Sequence, residues 1–327
     1  MISLFAFLSM FASPVSAPAV SEEPVTITYA AGYIPNIQFA PFYVAMVRGY
    51  YEEEGIKLKM DYTIGSEAVK MVALKKVEIG SVDPDSFLLA MDQKMPLTHI
   101  ATLFQTYPIA LIAKEPILNA KNLRNKRVGV FGTYGASYLG LKAMLAEMGL
   151  TLSDIRVAAI GFNQVTSLKN NHVDAVVGYV NNEPLRLNGI GITTYTRMLS
   201  GRNSIPGAGL MAQNDWYAKN KGLVQKFLRA TFKGMRDVLM DPDGCFKLVV
   251  KHYLPELTGE RARTELDVLR ETLPFWESAY VKKHGFGQCP PESWRNLAIL
   301  LGGKGSKNPY LEWDKWVDTS FVLPFEE

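Results

Sequence analysis

Apolar and polar positions follow two rhythms along this chain, and they alternate. Val25 to Tyr29 (VTITY) steps every second residue and is β-branched, which predicts a strand. A Gly32-Tyr33-Ile34-Pro35-Asn36 loop follows, then a helical stretch from Ala40 to Arg48. Ile56 to Tyr62 predicts a second strand, Ser66 to Lys75 a helix with Glu67 in its first turn, and Ile79 to Val82 a short buried strand. Asp83 or Asp85 reads as the cap of the next helix, which runs through Met91, and Leu97 to Leu103 as a strand. This β-α-β-α order predicts a mainly parallel sheet with helices on both faces.

A second cycle starts after the charged stretch Lys121 to Lys126. Strands are expected at Arg127 to Phe131, Ile155 to Ile160, Ala175 to Tyr179 and Ile192 to Tyr195. Helices are expected from Tyr138 to Met148 and around Val165 to Asn170. From Asp215 onward the pattern is helical: Leu223 to Leu239, Gly244 to Tyr253, Gly259 to Thr272 and Pro291 to Leu300. Trp276, Trp294, Trp313 and Trp316 fall in this tail and read as the packing that fixes it to the first half. The simplest architecture is two α/β lobes joined by two chain crossings, which makes a hinged cleft. Lobe one comprises residues 18–112 plus 205–327 and lobe two residues 113–204.

The start of the chain reads as an address. Residues 1–17 (MISLFAFLSMFASPVSA) carry no charged side chain, and the run from Ile2 to Ala12 has the length of a signal-peptide core. Val15-Ser16-Ala17 supplies the small residues of a cleavage site near Ala17. The segment lacks the usual cationic n-region, because the first Lys or Arg is Arg48. No Cys lies there to form a lipobox. The expectation is a mature protein in the periplasm, and no later run is apolar enough to span a membrane.

Composition narrows the class. The 327 residues hold 35 Lys+Arg and 32 Asp+Glu, a formal net charge of +3, which argues against a nucleic-acid binder. With 48% hydrophobic residues the chain has ample material for a core. Cys245 and Cys289 either pair or stand as separate half-buried thiols. His99, His172, His252 and His284 show no metal-ligand spacing, so no metal and no cofactor is expected. No Ser-His-Asp or Cys-His arrangement suggests covalent chemistry.

Ligands of open α/β sheets bind beyond the carboxyl ends of strands, so the loops there are the ones to read. The first carries Asn36, Gln38 and Phe39, with Phe42 and Tyr43 just beyond; the second carries Ser66. In the second half come Tyr134, Ser137 and Tyr138 in a Gly-rich strand-to-helix turn, Gln164, and then Tyr179, Asn182 and Glu183. The Gly-rich turn lacks the Lys-Ser/Thr ending of a phosphate loop. Aromatic rings stack on flat ligands and amides read donor and acceptor edges, whereas an anionic ligand would call for Arg. The loops therefore point to a planar, near-neutral, heteroatom-rich small molecule.

The string from Gly32 to Ala45 (GYIPNIQFAPFYVA), with Gly49-Tyr50-Tyr51 and Glu54-Gly55, resembles the mature start of solute-binding proteins of ABC importers. The branch is the one that handles thiamine-precursor pyrimidines and riboflavin. GTYGASYLGL (132–141), GFNQ (161–164) and VDAVVGYVNNEP (173–184) continue the resemblance, as does Asp241-Pro242-Asp243 after a long helix. It implies a type II periplasmic-binding-protein fold with a helical C-terminal tail. It also implies capture of a vitamin-type ring and delivery, as a monomer, to an ABC permease in the membrane. A sensor role would use the same cleft. Pyrimidine binders and pyrimidine synthases of this group carry a His where Phe39 stands, and the synthases add a cysteine cluster for iron. The resemblance is therefore to a binding protein, with riboflavin first and an aminopyrimidine as the alternative. It implies ligand-contact roles for Asn36, Gln38, Phe39, Tyr134, Ser137, Tyr138, Gln164, Tyr179, Asn182 and Glu183.

Overall fold

The strands run β1 (Val25–Gly32), β2 (Ile56–Ile64), β3 (Ile79–Val82), β4 (Leu97–Thr102), β5 (Ile109–Ala113), β6 (Arg127–Val130), β7 (Arg156–Ala159), β8 (Ala175–Tyr179), β9 (Tyr195–Met198) and β10 (Gly209–Gln213). They form two five-stranded sheets in a computed structural model, in the orders β2-β1-β3-β10-β4 and β7-β6-β8-β5-β9. The structure describes residues 23–325 except 65, 134, 202, 203, 319 and 322. The expected signal peptide and its cleavage site lie outside the described residues. No described helix is long and apolar enough to cross a membrane.

The helices are α1 (Ala40–Val47), α2 (Tyr50–Glu53), α3 (Ser66–Ala73), α4 (Pro84–Asp92), α5 (Gly135–Glu147), α6 (Gln164–Lys169), α7 (Glu183–Gly189) and α8 (Asn214–Lys219). The tail continues with α9 (Lys221–Met240), α10 (Pro242–Tyr253), α11 (Gly259–Trp276), α12 (Ala279–His284) and α13 (Pro291–Gly302).

Each sheet is parallel apart from one strand. β1 pairs in parallel with β2 and β3, and β6 with β7 and β8. β10 and β5 run antiparallel to both of their neighbours. These are the first strands after each chain crossing. They start where the other strands end, so they must run the opposite way. Tyr179 at the end of β8 faces Ile109 at the start of β5, and Val82 at the end of β3 faces Gly209 at the start of β10. The sheets are mainly parallel, as expected, with these two strands as the exceptions; β5, inside the expected first-lobe segment 18–112, pairs within the second sheet. The strand expected at Ile192–Tyr195 lies at Tyr195–Met198.

The two crossings are tied to each other. The backbone N–H groups of Leu103 and Phe104 donate to the Ala208 carbonyl at 3.0 Å, and Gly207 and Tyr107 complete the ladder through Phe104 and Ile205. Gln105 anchors the first crossing to the tail: its N–H donates to the Phe275 carbonyl and its amide to that of Gln288, at 2.7 Å.

The first lobe has a thick outer core. In α9, Val224, Phe227, Leu228, Thr231, Phe232, Met235 and Val238 recur at helical spacing and bury one face. That face lies on α1 so closely that a Cβ at Gly234 would stand 2.1 Å from the Pro41 carbonyl oxygen. Tyr51 and Thr231 join hydroxyls at 2.7 Å inside this layer. The ion pairs around it, Arg48–Asp237, Arg229–Glu54 and Lys233–Glu53, are exposed and contribute at most about 1 kcal/mol each. A second apolar cluster spans both lobes, joining Val72 and Phe87 to Val128, Leu141 and Met144. The tail tryptophans behave as expected: Trp276 is buried in the first-lobe core, and Trp294 in the shared cluster stacks on Trp313. Cys245 and Cys289 are both free and buried, so the open question of pairing resolves to separate thiols; burial pushes them up to about 11 and about 12.

Candidate functional site

The loops after β1 and β3 from the first lobe meet those after β7 and β8 from the second. Thr272 of α11 is the clasp between them. Its hydroxyl donates to the Val268 carbonyl at 2.7 Å and accepts from two amides, Asn181 Nδ2 at 2.8 Å and Gln38 Nε2 at 3.4 Å. One donor and two lone pairs are thereby used. Asn181 is 1% exposed, and its Oδ1 is a buried acceptor without a protein partner. Beside it Arg186 joins the lobes through Glu265 at 2.5 Å and also donates to Asn182 Oδ1.

An aromatic group straddles the same line. Tyr33 meets Phe162 edge-on with centroids 5.7 Å apart, and Phe162 packs on Phe131 at 4.5 Å. Phe162 is 58% exposed, far more than an apolar ring needs to be when a core lies nearby. Burial, and then the charge of Glu183, raise the Tyr33 phenol.

Deeper in the seam lies an acid–phenol cluster. The Tyr107 and Tyr179 hydroxyls are 3.0 Å apart, and the Asp83 carboxyl lies close enough to Tyr107 to be held down by it. Asp85 is 3% exposed and its Oδ1 has no partner. Burial raises both acids, and the Asp83 charge raises Asp85 further. Tyr179 feels Asp83, Glu183 and Asp85 together, and its phenol is held above its ordinary range by burial and then by these charges. Asp83 stands at the start of α4 as expected, but its side chain makes no capping bond, so the cap reading is corrected.

Of the residues predicted from sequence, Gln38, Tyr179, Asn182 and Glu183 come together here. Glu183 is 8% exposed; its Oε2 accepts the Tyr179 N–H at 2.7 Å, and burial raises its carboxyl. The strand end leaves room for it only because residue 178 is glycine: a Cβ there would stand 2.7 Å from that oxygen. Gln164 is buried at the start of α6, next to Phe162 in the same loop. Ser137 and Tyr138 sit half-buried on the first turn of α5, where Tyr138 packs against the shared cluster. Asn36 spends its side chain on the N–H of Gln38, capping the turn Ile37–Phe39. Phe39 packs against the first-lobe core. Tyr43 is in that core, 0% exposed, stacked on Tyr253 and bonded to the Tyr62 hydroxyl at 2.9 Å. Ser66 opens α3, and its side chain lies outside the described residues, as does all of Tyr134. Sequence reasoning did not single out Tyr33, Asp83, Tyr107, Asn181, Phe162 or Thr272 as contacts. The signal for the acids was there, two carboxylates directly after a strand, but it also fits a cap.

No cluster of three metal-ligating side chains occurs among the described residues. The arrangement offers hydrogen-bond acceptors, phenols and stacking rings between two bodies.

The family model described as NMT1/THI5 like matches residues 36–245. The chain is 34% identical over 301 residues to the riboflavin-binding protein RibY of Chloroflexus aurantiacus, covering 90% of this chain and 86% of that protein. It is 26% identical to a 4-amino-5-hydroxymethyl-2-methylpyrimidine phosphate synthase of Legionella pneumophila, covering 80% and 84%. It is 23% identical to a formylaminopyrimidine-binding protein of Halalkalibacterium halodurans, covering 92% of each. Among solved structures, the periplasmic aliphatic sulphonate-binding protein SsuA of Escherichia coli superposes with a TM-score of 0.69 at 14% identity, covering 92% of this chain and 94% of that one. That likeness establishes the two-lobed periplasmic-binding-protein fold.

Proposed function

Because the chain belongs to the NMT1/THI5-like family, we propose that it is the extracytoplasmic substrate-binding protein of an ABC importer, with riboflavin as its ligand. It works as a binding protein and not as a catalyst. The ring system enters between Tyr33 and the Phe131–Phe162 pair, and the amides around Thr272 read its heteroatom edge. Bridging both lobes, the ligand stabilises the closed form, and the closed form is what the permease receives.

The observation that carries this reading is the Tyr33–Phe162 contact, a half-buried tyrosine meeting an exposed phenylalanine with one ring on each side of the cleft. It is supported by the 34% identity to a riboflavin-binding protein over nine-tenths of the chain. The test is a titration of riboflavin followed by quenching of flavin and protein fluorescence, with the melting temperature as a second readout. Phe162→Ala is expected to weaken binding by roughly tenfold, the worth of one aromatic stack, with little change in melting temperature. An aminopyrimidine is the second reading, favoured by the formylaminopyrimidine-binding relative. A melting shift with an aminopyrimidine and none with riboflavin would put that reading first. No response to either would remove both.

A further inference from the structure

We propose that Asp83 is a specificity-determining residue of the cleft: with Asp85 and Glu183 it excludes ligands that bring negative charge into the seam, so the protein takes a neutral ring compound and rejects its phosphate ester. The inference rests on the binding role proposed above. Three observations carry it, and each is independent of that role.

First, Asp83 and Asp85 stand at the start of a helix, and Glu183 at a strand end. In this kind of α/β lobe the helix N-termini face the cleft, and their free N–H groups favour anions. Here Asp83 precedes the nine-residue α4 and Asp85 lies in its first turn. Glu183 also takes the Tyr179 N–H at the end of β8. The positions that would draw a phosphate are supplied with the chain's own negative groups.

Second, the described cation in the seam is already engaged. Arg186 is bonded to Glu265 and to Asn182 Oδ1. A phosphate or sulfonate would want such a guanidinium free and bidentate.

Third, two buried acceptors at the seam, one on each side, have no hydrogen-bond partner. Asn181 Oδ1 and Asp85 Oδ1 lack protein donors, and a ligand bearing N–H or O–H groups would satisfy them. A phosphate oxygen would place acceptor against acceptor. Asp83 itself is half-buried beside Tyr107 and Tyr179, in a setting where like charges repel far more strongly than in bulk water.

The experiment compares riboflavin with riboflavin 5′-phosphate by flavin fluorescence at about pH 8, where Asp83 is charged. The wild-type protein is expected to bind the phosphate ester roughly tenfold to a hundredfold more weakly. Asp83→Asn is expected to narrow that ratio, and Asp83→Glu, which keeps the charge, to retain it. The melting temperature of each variant checks its fold. Equal binding of the two flavins by the wild type, or an unchanged ratio in Asp83→Asn, overturns the inference and leaves the binding role standing. If neither flavin binds, 4-amino-5-hydroxymethyl-2-methylpyrimidine and its phosphate take their place. A preference for the alcohol then supports the inference with a different ring, and no preference or no binding ends it.

Discussion

The outer face of the first lobe and the outer face of the second are built to different depths. The first carries the aromatic bulk of the tail: Phe232 stacks on Phe286 at 5.3 Å and on Phe321 at 6.1 Å, and Trp276 lies 1% exposed in the same cluster. Among the described residues, the buried cluster of the second on that side is smaller: Ala110, Ile112, Leu168, Val173, Val176 and Leu187. Its edge strands β7 and β9 are half-exposed along their length. The second lobe is one short excursion between two crossings, so it has no tail to cover it. The physical lesson is a division of labour. The first wall of the cleft is backed by enough buried area to hold its shape. The second wall can adjust, and it carries the residues Asn181, Asn182 and Glu183 that reach across.

That contrast is open to direct attack, starting with the heaviest core. Phe232→Ala removes a ring that stacks on two others and is expected to cost about 3–5 kcal/mol in denaturant unfolding. Leu187→Ala, on the thin face, should cost less, about 2 kcal/mol, because its surroundings can collapse. If the two losses are equal, or reversed, the second wall is as firmly backed as the first.

A smaller effect sharpens the picture at the reaching segment itself. Gly178→Ala drives a Cβ against Glu183 and is expected to cost about 1–3 kcal/mol. Glu183→Ala leaves the Tyr179 N–H without its carboxylate, a loss of similar size. The two share one cause, so the double variant should be little worse than Glu183→Ala alone. Additive losses would mean that the glycine and the carboxylate are unrelated. Glu183 is thus a ligand-site candidate whose removal is also expected to lower stability, which its position in the sequence did not reveal.

Much of the fold was legible because periodicity reports burial. β3 and β8 fall on the predicted residues, and the long helices α9, α10, α11 and α13 fall within a few. β5 (IALIA) and β10 (GLMAQ) were not legible. Both are buried throughout, so they lack alternation, and their direction is set by the crossings. The short α7, α8 and α12 have too few turns to show a period. In the site, loops after strands were the correct place to look, but the loop alone does not say which side chain faces the cleft. Asn36 and Tyr43 turned to a local cap and to the core. Asp83, Tyr107 and Tyr179 come together from three separate strand ends, and Thr272 answers amides from both lobes. Contacts of that range leave no local signature.

The smallest expected effect is electrostatic, and it tests whether the seam acids belong to the adjustable wall's closure. In the folded chain, burial pushes Asp83 up to about 6 and Asp85, with its neighbour's charge added, up to about 7. In an unfolded chain both titrate near the ordinary carboxylate value. Folding therefore takes up protons, and the stability these groups contribute is full below that ordinary value and lost as pH rises through about 6 to about 7. His99 opposes the trend. It is buried among Phe87 and Trp294 with neither ring nitrogen bonded, and burial pushes it down to about 3, so it loses stability as pH falls below its ordinary range. The raw pH curve mixes the two, and the difference between wild type and Asp85→Asn isolates the acids. The amide does not titrate, so the variant's advantage at high pH should shrink as pH falls through the same window. A difference that stays flat with pH would mean that Asp85 is solvated, and that the two lobes do not close over it.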